Sequence, residues 1–426
     1  MNRKILAIAI PSIIANITTP LLGLVDTAIV GHMGSAVYIG AIAVGGVMFN
    51  MLYWLFSFLR GGTSGLAAQA YGAADTEAQS AVLYRSLAVA AIVGAAMLIL
   101  QTPLQWILRR FIEPDPSTAQ LASRYFGILI YGAPAVLGTY ALSGWFLGMQ
   151  NSRMLMVSSL VINLVNIAVS VALVFGLGWE IDGVASGTLI AQWAGFATGI
   201  WLLRRYTLLR MPLRRILDSK GLRRFFSVNV DVMLRTACLI AVTVWFTKTG
   251  ASQGPVILAV NTLLMQLFLL FSFMMDGFAY AGEALAGKYV GRQDIPSLHR
   301  CVRGVMKWGV VCAALFTALY FFGGEAFLGL LSGDKNVIQA SGEYWWWAVT
   351  VPFAGFAAFA WDGVFIGATM TRGLLLSMGA AMAAFFIIET LLFPSMGNHA
   401  LWLAFIVYLF LRGALQTIIF IRHKWN

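Results

Sequence analysis

The stretch VILAVNTLLMQLFLLFSFMM (residues 256–275) contains no charged side chain. A helix of about 20 apolar residues is long enough to cross the hydrocarbon core of a bilayer. The rest of the chain has the same character, because 60% of its 426 residues are hydrophobic and only 11% are charged. Since a soluble protein of this length needs a polar exterior, we expect lipid to surround most of this chain.

Comparable apolar segments follow one another along the whole sequence. Twelve of them are long enough to span a membrane, which predicts an all-α membrane protein with twelve transmembrane helices. They lie near residues 5–30, 39–70, 82–107, 119–148, 154–178, 184–204, 225–249, 254–288, 301–330, 337–368, 372–392 and 398–421. Pro11 and Pro20 fall inside the first segment, where each removes a backbone hydrogen bond and favours a bend in the helix.

The Lys and Arg residues are distributed unevenly between the two sides of this predicted topology. Nineteen of the 28 lie on the side of the N-terminus, including a dense run from Arg204 to Arg224, and only four lie on the opposite side. Cytoplasmic loops are enriched in Lys and Arg. We therefore expect a multi-pass protein of the bacterial cytoplasmic (inner) membrane with both termini in the cytoplasm. The same distribution explains most of the net charge of +11 without a nucleic-acid partner.

Several classes of protein are disfavoured by what the sequence lacks. The odd number of cysteines, Cys238, Cys301 and Cys312, indicates free thiols rather than a disulfide scaffold. The four histidines form no metal-ligand spacing and no catalytic pattern, and no phosphate-binding loop is present. We therefore predict no enzymatic activity, no ATP drive, no cofactor, and no metal other than a sodium ion as a coupling ion.

The two halves of the chain repeat one another. GLAAQAYGAAD (65–75) aligns with ALAGKYVGRQD (284–294), and WFLGMQNSR (145–153) aligns with VFIGATMTR (364–372), both at an offset of 219. Each half holds six predicted spans, and because six is even, both halves insert with the same orientation. This predicts two parallel six-helix lobes related by pseudo-two-fold symmetry, an arrangement that usually places a substrate cavity near mid-membrane. The predicted lobes are residues 1–204 and 225–426, joined by a basic cytoplasmic linker at 205–224.

Motifs in both halves resemble one transporter family. The stretches are PLLGLVDTAIVGHMGS (20–35), FLRGGTSGLAAQAYGA (58–73), VNVDVMLRTACL (228–239), MMDGFAYAGEALAGKYVG (274–291) and WDGVFIGATMTR (361–372). As a set they resemble the multidrug and toxic compound extrusion (MATE) family, and within it the branch named for DNA-damage-inducible protein F. The resemblance covers essentially the whole chain. It implies export of amphipathic, often cationic, compounds driven by inward flow of protons or sodium.

The resemblance also implies roles for particular residues. The carboxylate that is central in the first helix of this branch matches Asp26, and the family's first-helix proline matches Pro11. Ligand-like polar residues of the fifth and sixth helices match Asn166 and Thr188. One position departs from the pattern, because relatives often carry a second aspartate one turn after the asparagine, where this chain has Ser170.

Physical reasoning on the first half leads to the same residues. A lone carboxylate such as Asp26 is costly inside a membrane, and a group that gains a proton on one side and releases it on the other suits a proton carrier. Asn163 and Asn166 share a helix face that Ser170 continues, and Thr188 shares a face with Gln192. These groups either line one polar cavity together with Asp26 or form interhelical hydrogen bonds.

The second half contains several embedded acids, and an arginine in the first half offers a counter-charge. The substrate-cavity candidates, in addition to Gln192, are Arg60, Asp276, Glu283 and Asp362. Arg235 follows Asp231 by four residues, a spacing that allows an ion pair on one helix face.

Together these patterns favour an antiporter that works by alternating access, with Asp26 as the carrier of the coupling ion. Its partners would be a small amphipathic substrate, a proton or sodium ion, and the lipid bilayer. Protons are favoured because Ser170 removes one natural site for a second charge, although oxygens of Asp26, Asn163, Asn166, Ser170 and Thr188 are suitable sodium ligands. The alternatives are a flippase for lipid-linked precursors of the same superfamily and, in a different class, an integral-membrane transferase.

Overall fold

A computed structural model describes residues 1–31, 36–112, 116–331 and 335–425. Within these ranges the chain is almost entirely helical and contains no β-strand. The helices are α1 (Asn2–Gly31), α2 (Ala36–Leu55), α3 (Phe58–Gly72), α4 (Thr76–Ile99), α5 (Gln101–Ile112), α6 (Pro116–Leu129), α7 (Ala133–Gly148), α8 (Ser152–Val171), α9 (Glu180–Leu202), α10 (Leu213–Ile216), α11 (Ser219–Ser252), α12 (Pro255–Gly291), α13 (Ile295–Leu331), α14 (Lys335–Gly367), α15 (Thr371–Met396) and α16 (Asn398–Arg422). A π-helical turn, Ala172–Gly176, extends α8.

The helices coincide with the twelve predicted spans. Three spans consist of consecutive helices: α2 with α3, α4 with α5, and α6 with α7. In the described part of the chain, ten helices are long and apolar enough to cross a membrane. The two predicted spans outside that set are also helical, since they correspond to α1 and α9. The all-α membrane fold is therefore confirmed.

The repeat is visible in the helix boundaries and in the turns between helices. The pair α2–α3 runs from Ala36 to Gly72, and α12 runs from Pro255 to Gly291, which is the same span shifted by the sequence offset. In the turns that follow, Ala74 and Gln293 have positive φ angles of 55° and 58°. A positive φ is uncommon for residues other than glycine, so its occurrence at equivalent positions indicates a duplicated turn.

The helices after these turns are capped in the same way. The Asp75 carboxylate accepts a hydrogen bond from the Ala78 amide at 2.9 Å, and the Asp294 carboxylate accepts one from the Ser297 amide at 3.0 Å. An aspartate at this position satisfies an amide that has no partner within the helix. The aligned aspartates of the sequence motif are therefore helix caps.

Glycines allow one pair of helices in each half to approach closely. A Cβ atom on Gly144 of α7 would lie 2.2 Å from the Arg60 carbonyl oxygen of α3, and one on Gly363 of α14 would lie 1.9 Å from the Ala279 carbonyl oxygen of α12. One turn later, Gly148 and Gly367 make the corresponding approaches. Small residues at such spacing are typical of tight packing between membrane helices.

The chain divides into two compact units. We call Ile14–Asn229 the N-terminal unit, and Met1–Ile13 together with Val230–Asn426 the C-terminal unit. The first part of α1 belongs to the C-terminal unit because its side chains pack there. The Ile13 side chain packs against Gly277 of α12, and the Ile5 side chain packs against Gly304 of α13. The predicted lobe boundaries did not include this division of the first helix.

The basic segment between the halves is attached to the N-terminal unit. Part of the stretch 205–224 is helical, because it contains α10 and the start of α11. The Arg85 guanidinium of α4 donates hydrogen bonds to the backbone carbonyls of Arg215 and Ile216, at 3.1 and 2.8 Å. A cation at the C-terminus of a helix satisfies carbonyl groups that lack partners within the helix.

Candidate coupling site

Asp26 lies on α1 in the part of the helix that belongs to the N-terminal unit. Its residue surface is 6% exposed. The Thr188 hydroxyl of α9 lies 3.4 Å from one carboxylate oxygen, and the Asn166 amide of α8 lies beside the same carboxyl group. The structure therefore brings together three of the residues that the sequence grouped, from three different helices.

The Asn166 side chain fixes the position of Thr188. Its amide nitrogen donates a hydrogen bond to the Thr188 hydroxyl oxygen at 2.9 Å. That hydroxyl also lies 3.0 Å from the Val184 carbonyl oxygen. A hydroxyl has one proton to donate, so Thr188 donates either to Val184 or to Asp26 at any moment.

Ser170 lies one turn after Asn166 on α8 and faces α9. A Cβ atom on Gly187 would lie 2.1 Å from the Ser170 hydroxyl oxygen, so a glycine is needed where the two helices approach. Asp26 Oδ1, Asn166 Oδ1 and Ser170 Oγ are buried and have no hydrogen-bond partner among the described residues. Buried oxygens are rarely left unpaired without reason.

Tyr125 of α6 is a member of this group that the sequence reasoning missed. The residue is buried, and its hydroxyl lies close enough to interact with Thr188 and with Asp26. Its ring packs where a Cβ on Gly45 of α2 would lie only 2.5 Å away. A tyrosine within an apolar span has no pattern that distinguishes a site residue from a packing residue.

For three other candidates of the first half, the contacts found are with groups other than Asp26. The Asn163 amide donates to the backbone carbonyl of Thr18 at 3.1 Å, so it connects α8 to α1 and not to the carboxylate. The Gln192 amide oxygen occupies the space beside Gly132, where a Cβ would lie 1.7 Å away. Arg60 of α3 lies within electrostatic range of Tyr140.

In the C-terminal unit, Asp276 and Glu283 both lie on α12. Glu283 is buried and Asp276 is half-buried. Pro11 and Pro20 lie within α1, and the bends attributed to them stay predictions. Among the described residues, no group of three or more His, Cys, Asp or Glu side chains is placed to hold a metal ion.

The ion pair that the spacing of Asp231 and Arg235 allowed is not the arrangement found. Asp231 accepts a hydrogen bond from the Thr371 hydroxyl at 2.6 Å, and Arg235 pairs with Asp362 of α14. Both partners lie on other helices, and the i,i+4 rule concerns only neighbours on the same helix.

The long apolar helices and the duplicated backbone define a multi-pass membrane protein, and comparisons with known proteins identify its class as a transporter. The family model MatE matches residues 11–172 and 229–393. The chain is 38% identical to DNA damage-inducible protein F of Escherichia coli (strain K12) over 100% of this chain and 93% of that protein. It is 28% identical to Multidrug resistance protein MdtK of Klebsiella pneumoniae (strain 342) over 58% of this chain and 54% of that protein.

Solved structures give the same fold. The structure of the Vibrio cholerae MATE transporter VcmN in the bent form superposes with a TM-score of 0.88 at 15% sequence identity. The alignment covers 99% of this chain and 96% of VcmN. This chain therefore belongs to the MatE family and has its twelve-helix, two-lobe fold. Members of the family are transporters and not enzymes.

Proposed function

We propose that this chain exports amphipathic cationic compounds across the bacterial cytoplasmic membrane in exchange for protons, with both of its termini in the cytoplasm. The observation that carries the proposal is the environment of Asp26, a buried carboxylate whose hydrogen-bonding neighbours, Asn166 and Thr188, are both neutral. No Lys or Arg of the described ranges pairs with Asp26, and such a carboxylate favours a proton or a cationic substrate, because either one neutralises it.

The hydroxyl of Thr188 makes the site sensitive to the protonation of Asp26. When Asp26 is charged, the hydroxyl donates to the carboxylate, and its hydrogen bond to the Val184 carbonyl is lost. When Asp26 is protonated, the hydroxyl returns to the Val184 carbonyl, since the carboxyl group no longer attracts the proton of Thr188. The contact between α1 and α9 thus has two arrangements, which alternating access requires.

Charge balance limits the driving force. Exchange of one monovalent cation for one proton moves no net charge, so only the pH gradient drives it, at about 1.4 kcal/mol per pH unit. Use of the membrane potential, at about 2.3 kcal/mol per charge per 100 mV, would require a second ion. A carboxylate at position 170 would provide a binding site for this second ion, but this chain has Ser170 there.

The test is efflux of a fluorescent monovalent cation from proteoliposomes under an imposed pH gradient or an imposed sodium gradient. We expect wild-type protein to respond to the pH gradient and Asp26→Asn to lose that response while staying folded. Asp182→Asn is the control, because it neutralises a carboxylate of the same unit that pairs with Arg124. Normal pH-driven efflux by Asp26→Asn would show that Asp26 is not the carrier.

Sodium is the second candidate for the coupling ion, and the unpaired oxygens of Asp26, Asn166 and Ser170 favour it. Hard cations bind carboxylate, amide and hydroxyl oxygens. Under sodium coupling, Ser170→Ala should raise the sodium concentration needed for half-maximal transport. Under proton coupling, the same substitution should leave the pH-driven rate unchanged.

A further inference from the structure

The C-terminal unit contains a cluster of charged groups on three helices. Asp362 of α14 pairs with Arg235 of α11 and with Arg412 of α16, and the Arg412 pair is 2.6 Å long. The Gln416 amide donates to the other oxygen of the Asp362 carboxylate at 2.9 Å. We call these four residues the Asp362 cluster.

The Asp362 cluster carries an excess of positive charge. It holds two guanidinium groups and one carboxylate, and the side chains of Arg412, Asp362 and Arg235 are only 2%, 8% and 17% exposed. Among the described residues, the Arg412 guanidinium also faces the neutral rings of Tyr408 and Phe359 at 5.3 and 5.9 Å. An unbalanced buried charge is costly, so a further anion would stabilise this arrangement.

The cluster also has hydrogen-bond donors to spare. The Nε atoms of Arg235 and Arg412 are buried and have no hydrogen-bond partner in the described ranges of the chain. Asp231, one turn before Arg235, already accepts the Thr371 hydroxyl proton. The planar guanidinium group is suited to two-point binding of carboxylate oxygens.

We propose that the Asp362 cluster is an anion-recognition site that binds the carboxylate of an amphipathic zwitterion. Asp362 holds the two arginines in place when the site is empty, and a ligand carboxylate reaches the guanidinium groups through the partly exposed Arg235. The cluster lies close to the helix end, because Asp362 precedes the last residue of α14, Gly367, by five residues, or about 7.5 Å. The inference rests on the proposed export function and extends its substrates from simple cations to zwitterions.

The test uses two dyes that differ only at one group. Rhodamine 110 has a free carboxylate, and rhodamine 123 is its methyl ester. Binding of each dye to the purified full-length protein in detergent is measured by fluorescence anisotropy. We expect wild-type protein to bind rhodamine 110 about tenfold more tightly, and Arg235→Gln to remove this preference while binding of rhodamine 123 stays within about twofold.

Two further variants make the result specific. Asp362→Asn removes the competing carboxylate but keeps its shape, so it should strengthen rhodamine 110 binding. Arg124→Gln, a paired arginine of the N-terminal unit, should change neither dye. Inorganic phosphate that competes as strongly as a carboxylate dye would overturn the zwitterion assignment in favour of a free-anion site.

Equal binding of both dyes by wild-type protein, or a preference that persists in Arg235→Gln, would overturn the proposal. Neither result depends on transport. A protein that exports rhodamine 123 under a pH gradient and shows no preference for rhodamine 110 would keep the proposed function and lose only this site.

Discussion

The two halves of this chain share a backbone and differ in their buried charges. At the offset of 219, the capping aspartates Asp75 and Asp294 coincide, and so do the close approaches of Gly144 and Gly363. The buried charged residues do not coincide; Asp26, for example, aligns with Trp245. What the halves have in common is therefore the set of residues that fixes turns and helix contacts, whereas each buried charge occurs in one half only.

The partners of the buried acids differ in the same way. The described side chains that hydrogen-bond to Asp26, Asn166 and Thr188, are neutral. Asp362 is held by two arginines, so its charge is already balanced by the protein. Ser170 aligns with Glu389, which is buried and accepts a hydrogen bond from the Thr249 hydroxyl. Equivalent backbone positions thus support different chemistry in the two halves.

Substitutions at the repeated helix contact, one in each half, should give the largest loss of stability. Gly144→Ala and Gly363→Ala each place a Cβ against a backbone carbonyl, about 2 Å away, and backbone atoms cannot move aside as a side chain does. We expect each to cost more than about 3 kcal/mol, seen as loss of monodisperse protein in size-exclusion chromatography.

Gly127→Ala and Gly379→Ala are the matched controls, because in the described structure no atom outside the local helix backbone lies within 4 Å of the added Cβ. Alanine is a better helix former than glycine, so these variants should be neutral or slightly more stable. A large loss of stability for Gly144→Ala together with a small loss for Gly363→Ala would show that the repeated contact is not equally important in both halves.

The different partners of the two acids predict different effects on stability. Asp362→Asn leaves two buried arginines opposite a neutral amide and should destabilise the protein by about 2 kcal/mol. Asp26→Asn removes a buried charge that has no cationic partner in the described part of the chain, and it should leave the melting temperature unchanged or raise it. Thermal unfolding in detergent at neutral pH measures the melting temperature of both variants. Equal decreases would show that Asp26 and Asp362 do not differ in how the protein balances their charge.

The smallest effects are expected at the duplicated caps. Asp75→Ala and Asp294→Ala each remove one hydrogen bond to a helix N-terminus and should lower the melting temperature slightly and to a similar extent.

The Asp294 cap also predicts a pH dependence. The hydrogen bonds from the Ser297 side chain and backbone hold the pKa of Asp294 below its ordinary value. A lowered pKa means that the carboxylate stabilises the fold above its ordinary pKa and loses this effect as the pH falls through the lowered value. The difference between wild type and Asp294→Ala should therefore shrink in acid, and a difference that grows would refute this assignment.

Much of the fold could be predicted because its determinants are local. Apolar runs of about 20 residues locate membrane helices, and repeated glycine and aspartate positions reveal the duplication. The grouping of Asp26, Asn166 and Thr188 was also predicted, since a family resemblance carried information about which helices meet. Their role in coupling stays a prediction.

The features that were missed depend on tertiary contacts. Arg235 was matched with its neighbour Asp231, yet its partner Asp362 lies 127 positions away in the sequence. Tyr125 could not be distinguished from a packing aromatic until Asp26 and Thr188 were placed beside it. Neither contact follows from helix periodicity, because periodicity reports which residues share a face and not what that face meets.

The division of α1 has a consequence for the synthesis of the protein. Ile5 and Ile13 leave the ribosome well before their partners Gly304 and Gly277, which are translated roughly 260 to 300 residues later. At about 5–20 residues per second, the start of this helix waits on the order of 15–60 s for the segment against which it packs. During that time residues 1–13 must be held by lipid or by the insertion machinery, and the C-terminal unit becomes complete only when this early segment joins the later one.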